Sequence, residues 1–361
     1  MTQPLNVGVL GASGIAGGEL CRLLLGHPAV GTITPAARTT GPLARVHPNL
    51  SGCGLEIVEP DELHARAGQF DVLFTCTPSG EAMRVAGPHH ERGTRIVDLS
   101  PDFRFADPAE YKRVYGEGHA SPELLAGAVY GATELYRDKV AETRLVANPG
   151  CYAITALLAL APLLRENLLD PQASVSVHAV NGTTGAGSTP KTDLMHANVS
   201  GSMLAYSLEG HRHGPELEQV LGEIGGSPIT VDFNTAHGDF PRGIHLQANI
   251  RLTRGLSRDD LLELYTTVYG RDHDGEYFVH VNTLPKAEKL NAKQYELYPR
   301  LNEVVGSNFC HLGIDRDDER GIVKIVAVTD NLVKGAAGSA IQNMNVMFGL
   351  EETLGLRAYA L

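Results

Sequence analysis

Hydrophobic and polar positions follow two rhythms along the first 150 residues. Short runs rich in β-branched and apolar residues (Asn6–Leu10, Gly31–Thr34, Val72–Cys76, Arg95–Leu99 and Arg144–Ala147) read as buried strands. Between them lie stretches such as Gly18–Leu25, apolar at helical spacing and closed by Gly26-His-Pro. Strand-helix alternation implies parallel pairing through right-handed crossovers. The expected fold of residues 1–150 is therefore α/β, a Rossmann-type doubly wound parallel sheet.

The texture changes at Cys151. A helix over Tyr152–Leu164 leads into longer strands with period-2 character: Ser174–Val180, Ile229–Phe233, Ile244–Leu252, Tyr277–Val281 and Ile322–Val328. Helices at Pro215–Leu221 and Arg258–Tyr269 interrupt them, the second opened by Ser257 as N-cap. Long strands with segregated helices predict an α+β domain on a mixed sheet, here residues 151–330. The acidic run Asp315–Arg320 reads as a solvent-facing hairpin turn, and a last helix falls near Ser339–Met347. The chain has no internal repeat and no linker-like stretch.

Composition narrows the function. A length of 361 residues suits two domains, each with a substantial core. The formal net charge of −12 argues against a nucleic acid partner, which needs a basic footprint. Five Cys without CxxC spacing fit reduced cytoplasmic thiols rather than disulfides or a zinc knuckle. The start Met1-Thr-Gln-Pro lacks a signal-peptide pattern, and the greasiest stretch, Ala153–Leu164, is too short for a bilayer. A cytoplasmic protein with no membrane partner is expected.

Three clusters carry chemistry. Gly11-Ala-Ser13-Gly14-Ile15-Ala16-Gly17 follows the first strand and opens a helix, so its amides can meet a pyrophosphate at the positive end of the helix dipole. No acidic residue occurs between Glu19 and Glu56 to hold a ribose 2′-hydroxyl, while Arg38, Thr39 and Thr40 follow the second strand. That favours NADP, with Arg38 and Thr39 at the 2′-phosphate.

Asn148-Pro-Gly-Cys151 places a thiol at a strand-to-helix junction, where helix amides stabilise thiolate. Cys21, Cys76 and Cys310 lie in or beside apolar runs and read as core. His211-Arg212-His213 precedes another helix; two His without a suitably spaced third ligand imply no metal, leaving a base for thiol chemistry with a cation beside it, or a solvated turn. The Gly182–Gly187 loop, with Gly185 inside it, leaves amides open to a ligand. Arg104, after a strand, suits a phosphate through its planar fork, or an ion pair with Asp102 or Asp107. A dinucleotide fold, a helix-capping Cys and a downstream His together describe redox chemistry on an aldehyde or acyl derivative.

The motif series resembles the N-acetyl-gamma-glutamyl-phosphate reductases of arginine biosynthesis over essentially the whole chain. The matching stretches are Gly11–Glu19, His47-Pro-Asn-Leu50, Asp98-Leu-Ser-Pro-Asp-Phe-Arg104, Asn148–Tyr152, Gly182–Gly187, His211–His213, Arg242-Gly-Ile244 and Asp330-Asn-Leu-Val-Lys-Gly335. The resemblance implies a thioester on Cys151, with His213 as acid/base. It also implies substrate contacts by His211, Arg212, Asn148 and Arg104, and Asn331 at the nicotinamide. NADPH is the implied cofactor and a small acyl phosphate the implied substrate. The 331–361 segment is implied to return to the nucleotide domain, and the second domain to build a homodimer or homotetramer. Aspartate-semialdehyde dehydrogenase and the carrier-linked aminoadipyl-phosphate reductases are the alternatives. Gly214, Ser188 and Asp239-Phe-Pro241 depart from the family pattern.

Overall fold

The computed structural model describes residues 3–170, 172–270, 275–287, 289 and 292–361. Met1 and Thr2, at the start read above as leaderless, lie outside the described residues. The chain divides into two units, 1–150 with 336–358, and 151–335 with 359–361. The returning segment thus starts at Ala336 rather than at residue 331, and its last three residues rejoin the second unit. The reason is local: Asp330 and Asn331 are hydrogen-bonded to Arg242, Gly243 and Gly306.

In the first unit, the main sheet among the described residues has six strands. They are β1 (Leu5–Leu10), β2 (Val30–Ala36), β3 (Val72–Thr75), β4 (Arg95–Asp98), β5 (Ala128–Tyr130) and β6 (Leu145–Ala147). They run parallel in the order β2-β1-β3-β4-β6-β5. Every residue of β3 and β6 is buried, which is why those runs show no alternation. Successive connections leave β1 in opposite directions, so the crevice of the sheet opens at the carboxyl ends of β1 and β3. The Ile15–Leu25 helix starts there.

The Asp98–Arg104 motif is a knot of buried polar groups beside that edge. Asp98 accepts from the hydroxyls of Thr75 and Ser100, at 2.6 and 2.8 Å. Asp102 accepts the amides of Gly80 and Met83 at the start of the Ala82–Glu91 helix. The Gly338–Met347 helix belongs to this unit: Asn343 accepts from the Thr133 hydroxyl and donates to Gly131 O and Asn148 Oδ1.

The second unit holds a seven-stranded mixed sheet among the described residues. Its strands are β7 (Val175–Asn181), β8 (Met203–Tyr206), β9 (Val231–Gly238), β10 (Ile244–Arg251), β11 (Val279–Val281), β12 (Cys310–Asp317) and β13 (Ile322–Thr329). The order is β8-β9-β7-β10-β13-β12-β11, with β9–β7 and β11–β12 parallel and the other pairs antiparallel. The Cys151–Arg165 helix is buried from Tyr152 to Leu164, as an apolar helix must be. The hydroxyls of Tyr265 and Tyr269, on the Arg258–Tyr269 helix, donate to its carbonyls at Ala159 and Leu158. Ser257 caps that second helix in a reciprocal capping box with Asp260.

Three readings of the sequence need correction. The strand expected over Ile229–Phe233 begins at Val231 and reaches Gly238, because its second half pairs with β8 and the end of β7. The Tyr277–Val281 strand shortens to β11. Asp315–Asp317 lie in β12 rather than in a turn, and half-buried Asp315 accepts from Lys286 Nζ at 2.6 Å and from the Tyr298 hydroxyl. Burial raises the Asp315 pKa, but the hydrogen bonds of Lys286, Tyr298 and the Arg316 amide outweigh it and leave the carboxyl below its usual range.

Candidate active site

Cys151 is the first residue of its helix and is half-buried, whereas Tyr152 beside it is buried. Backbone amides of a first helical turn have no intrahelical acceptor, and the helix dipole adds positive potential there. Gly335 makes room for the residue, since a Cβ at 335 would stand 2.7 Å from Cys151 Cβ. The Thr155 hydroxyl donates to Cys151 O at 2.9 Å and meets the Thr329 hydroxyl at 2.7 Å. Other thiols sit differently: burial pushes Cys21 up to about 12, and Cys76 well above the usual thiol value.

His211 and His213 are buried around exposed Arg212. Their rings meet edge-on with centroids 4.7 Å apart. The His213 amide donates to His211 Nδ1 at 3.1 Å, so the neutral His211 ring carries its proton on Nε2. Tyr152 lies edge-on to both rings, at 5.6 and 5.9 Å, while Tyr206 and Phe233 each reach His211 at 5.6 Å. Burial, with Arg212 and His237 adding to it, pulls the His211 pKa down to about 4, so the ring is neutral near pH 7. Glu216, one helical turn beyond His213 and fully buried, brings Oε2 to 3.9 Å from His213 Nε2. A carboxylate there stabilises an imidazolium.

A buried carboxylate organises the loops around this box. Asp330 accepts from Arg242 Nε at 3.0 Å and from the amides of Gly306 and Leu332 at 2.7 Å. Asn331 accepts the Gly243 amide at 2.8 Å and donates to the Thr184 hydroxyl at 3.0 Å. The side chain placed at the nicotinamide by resemblance thus also braces loops within this unit. Gly185 sits where a Cβ would come within 2.0 Å of Asn181 Nδ2, and Gly182 where one would come within 2.4 Å of Pro241 O. Close packing of this loop, rather than the open amides expected from the sequence, requires its glycines: the amides of Gly182, Thr183, Thr184, Gly185 and Gly187 all donate to backbone carbonyls.

Two further expected substrate contacts, Arg104 and Asn148, lie in the first unit, where both also bond main chain. Buried Arg104 donates from Nε to Asn148 O at 2.9 Å and from Nη2 to Leu99 O at 3.0 Å. Asn148 donates to Ala336 O at 3.2 Å and accepts from Asn343. Together they hold the Asn148-Pro-Gly segment from which the chain enters the Cys151 helix.

The glycine loop has the shape its spacing implied. Gly11 has φ +85°, and a Cβ there would stand 2.3 Å from Cys76 O at the end of β3. A Cβ at Gly17 would stand 2.4 Å from Gly11 O, so the helix can pack close to the loop only without it. At Gly14 the nearest atom is 3.4 Å away, leaving that side open. The helix has no side-chain cap and no acidic residue in its first turn. His47 explains its own motif: Nε2 bonds Ala12 O at 2.9 Å, and the ring lies where a Cβ at Gly18 would be. Ser13, Ile15 and Ala16 are half-buried around the loop, and Arg38, Thr39 and Thr40 are exposed past the end of β2. The cradle therefore fits a dinucleotide pyrophosphate.

Tyr206, His237, Asn181 and Glu216 were not singled out by the sequence, and Tyr152 and Asp330 lay in motif stretches without an assigned role. Glu216 had a readable signal, since i and i+3 share a helix face. Tyr206 and His237 had none, because β8 and β9 bring them together across the sheet.

Comparisons with known proteins agree with this architecture. The family model "Semialdehyde dehydrogenase, NAD binding domain" matches residues 6–143, and "Semialdehyde dehydrogenase, dimerisation domain" matches residues 151–331. An N-acetyl-gamma-glutamyl-phosphate reductase of Geobacter metallireducens is 42% identical over 360 residues, 99% of each chain. A protein of Cenarchaeum symbiosum, provisionally named a LysW-L-2-aminoadipate/LysW-L-glutamate phosphate reductase, is 38% identical across 98% of each chain. Among solved structures, aspartate semialdehyde dehydrogenase II of Vibrio cholerae shares the fold, with TM-score 0.71 and 14% identity over 96% of this chain and 99% of that one.

Proposed function

We propose, from the premise that this chain belongs to the N-acetyl-gamma-glutamyl-phosphate reductase family, that it reduces N-acetyl-L-glutamyl 5-phosphate to N-acetyl-L-glutamate 5-semialdehyde. NADPH is the reductant and inorganic phosphate the second product, within arginine biosynthesis in the cytoplasm. The observation that carries the reading is a helix-terminal Cys151 in the unit that also buries His211 and His213 beside Tyr152. Homodimers or homotetramers formed through the second unit accompany this reading.

In this mechanism His213 accepts the Cys151 thiol proton, and the Glu216 carboxylate stabilises the resulting imidazolium. The thiolate attacks the acyl carbon, and the bond from that carbon to the phosphate oxygen breaks. His213 gives its proton to the departing phosphate, leaving a thioester on Cys151. Gly11, Ser13, Gly14, Ile15, Ala16 and Gly17 would hold the dinucleotide, with Arg38 and Thr39 toward a 2′-phosphate, and when bound it would supply hydride for reduction of the thioester. Cys151 then leaves as thiolate, freeing the aldehyde, and regains a proton from solvent through His213. Neutral His211 offers its Nε2 proton to a substrate oxygen, and Arg212, exposed and without an ion pair among the described residues, offers positive charge to the phosphate.

The test is phosphate-dependent reduction of NADP and of NAD with three semialdehydes in parallel: N-acetylglutamate, aspartate and aminoadipate. Turnover of the acetylated glutamate compound with NADP preferred is the expected result. Strong turnover of aspartate semialdehyde alone, or of aminoadipate semialdehyde alone, overturns it.

A further inference from the structure

No step above uses His237, although it is one of the most constrained side chains in the second unit. We propose that His237, held by Asn181, is a positioning residue that fixes the Tyr206 ring and through it the direction of His211; the substrate named in its test rests on the reductase reading.

His237 lies in register with Asn181 on parallel β7 and opposite Leu204 on antiparallel β8. It is buried, and its Nδ1 is 2.6 Å from Asn181 Oδ1. A carbonyl oxygen only accepts, so Nδ1 carries the proton and the tautomer is fixed. The imidazole lies flat on Tyr206, with centroids 4.3 Å apart and planes 9° from parallel. Tyr206 donates its hydroxyl proton to the Tyr152 hydroxyl at 3.2 Å, and Tyr152 donates to Ala236 O at 3.2 Å. The Tyr206 ring is thus fixed at its face by His237 and at its tip by Tyr152, and its edge walls His211.

The groups that face His237 keep it in this role. Burial, with Lys191 adding to it, holds its pKa below the ordinary histidine value, so the ring stays neutral and stacks without carrying charge into the box. His211 is coupled to it electrostatically. A second imidazolium beside His211 would oppose any protonation needed nearby, whereas a neutral stacked ring sets geometry alone.

The test is a double-mutant cycle between His237 and His211, read as a KM-against-kcat split. His237→Phe keeps a stacked ring but strands Asn181 Oδ1, and His237→Gln keeps a donor but loses the ring. Each variant should raise KM for N-acetylglutamate semialdehyde about tenfold, the first by stranding a buried acceptor and the second by losing the stack, with kcat within about twofold. His237→Phe on a His211→Asn background should add little to the KM of His211→Asn alone. The pH profile of Cys151 alkylation by iodoacetamide should match wild type in every variant. Wild-type KM in both single variants, additive effects in the cycle, or a shifted alkylation profile would each overturn the proposal. If His237→Phe does not fold, the same criteria apply to His237→Gln. Failure of wild type to turn over the acetylated semialdehyde strikes the reductase reading instead, and the cycle is then run on the semialdehyde that wild type does use.

Discussion

The two units provide for anionic ligands by opposite means. The first uses backbone: main chain packed where Cβ atoms would be at Gly11 and Gly17, an open side at Gly14, and an uncapped helix start. The second uses side chains held by buried polar partners, with Asp330 tying loops together and Glu216 behind His213. A backbone cradle is a property of seven consecutive residues. A side-chain box is a property of strand pairing, because its members come from β8, β9, the Cys151 helix and the His213 turn. The first kind of site tolerates exchange of its surroundings, and the second fails through its supports.

The sharpest test of this contrast is Cys151→Ser. A hydroxyl has a far higher pKa than a thiol, so turnover should be abolished while dinucleotide binding, followed by fluorescence quenching, stays at the wild-type level. Residual turnover above about one part in a thousand would show that the second unit does not depend on its thiol. Next in size, His213→Asn should cut kcat by ~10²–10⁴ with stability unchanged, the usual share of general acid–base catalysis. A full-rate His213→Asn enzyme would move the proton role elsewhere in the box.

A pair of glycine substitutions probes the backbone cradle. In Gly17→Ala the new Cβ would face fixed backbone at 2.4 and 2.8 Å, so thermal unfolding should show a loss of ~1–3 kcal/mol, the cost of overpacking. Gly14→Ala meets nothing closer than 3.4 Å and should melt like wild type while binding the dinucleotide more weakly. Equal effects of the two on stability would mean that Gly14 is structural rather than left open for a ligand. Arg38→Ala should weaken NADPH about tenfold at fixed salt and leave NADH unchanged, since an exposed cation is screened. An unchanged NADPH preference would shift that role to Thr39 or Thr40.

The smallest expected effect is on pH. Folding lowers the His211 pKa to about 4 from about 6.5. The unfolded chain therefore binds more protons, and His211 makes stability fall as pH drops from 6.5 toward 4. His211→Asn should lose less stability than wild type across that window in denaturant titrations. In the first unit Asp98 acts with the opposite sign. Burial first, then Asp102, raise it to about 6, so its contribution grows as pH falls through 6 and is lost as pH rises. An Asp98→Asn variant should show the reverse change.

Much of the fold was legible because its signals are local. Apolar runs without alternation marked β3 and β6, the N-cap Ser257 marked the helix after it, and the glycine spacing marked the loop at the first strand's end. Cys151 was readable from its place between a Pro-Gly turn and an apolar helix. By itself, the sequence determined two domains, a dinucleotide cradle, a candidate nucleophile and its histidines, since each depends on neighbours within a few residues. Only the tertiary structure decided that Asn331, Asn148 and Arg104 brace backbone, and that Tyr206 and His237 stack. Those facts depend on which strands lie side by side and which buried donor finds which acceptor. Such partners can lie 212 residues apart, as for Asn343 and Gly131. No local pattern encodes that pairing; it is set when packing removes water and every buried polar group must find a partner within the fold.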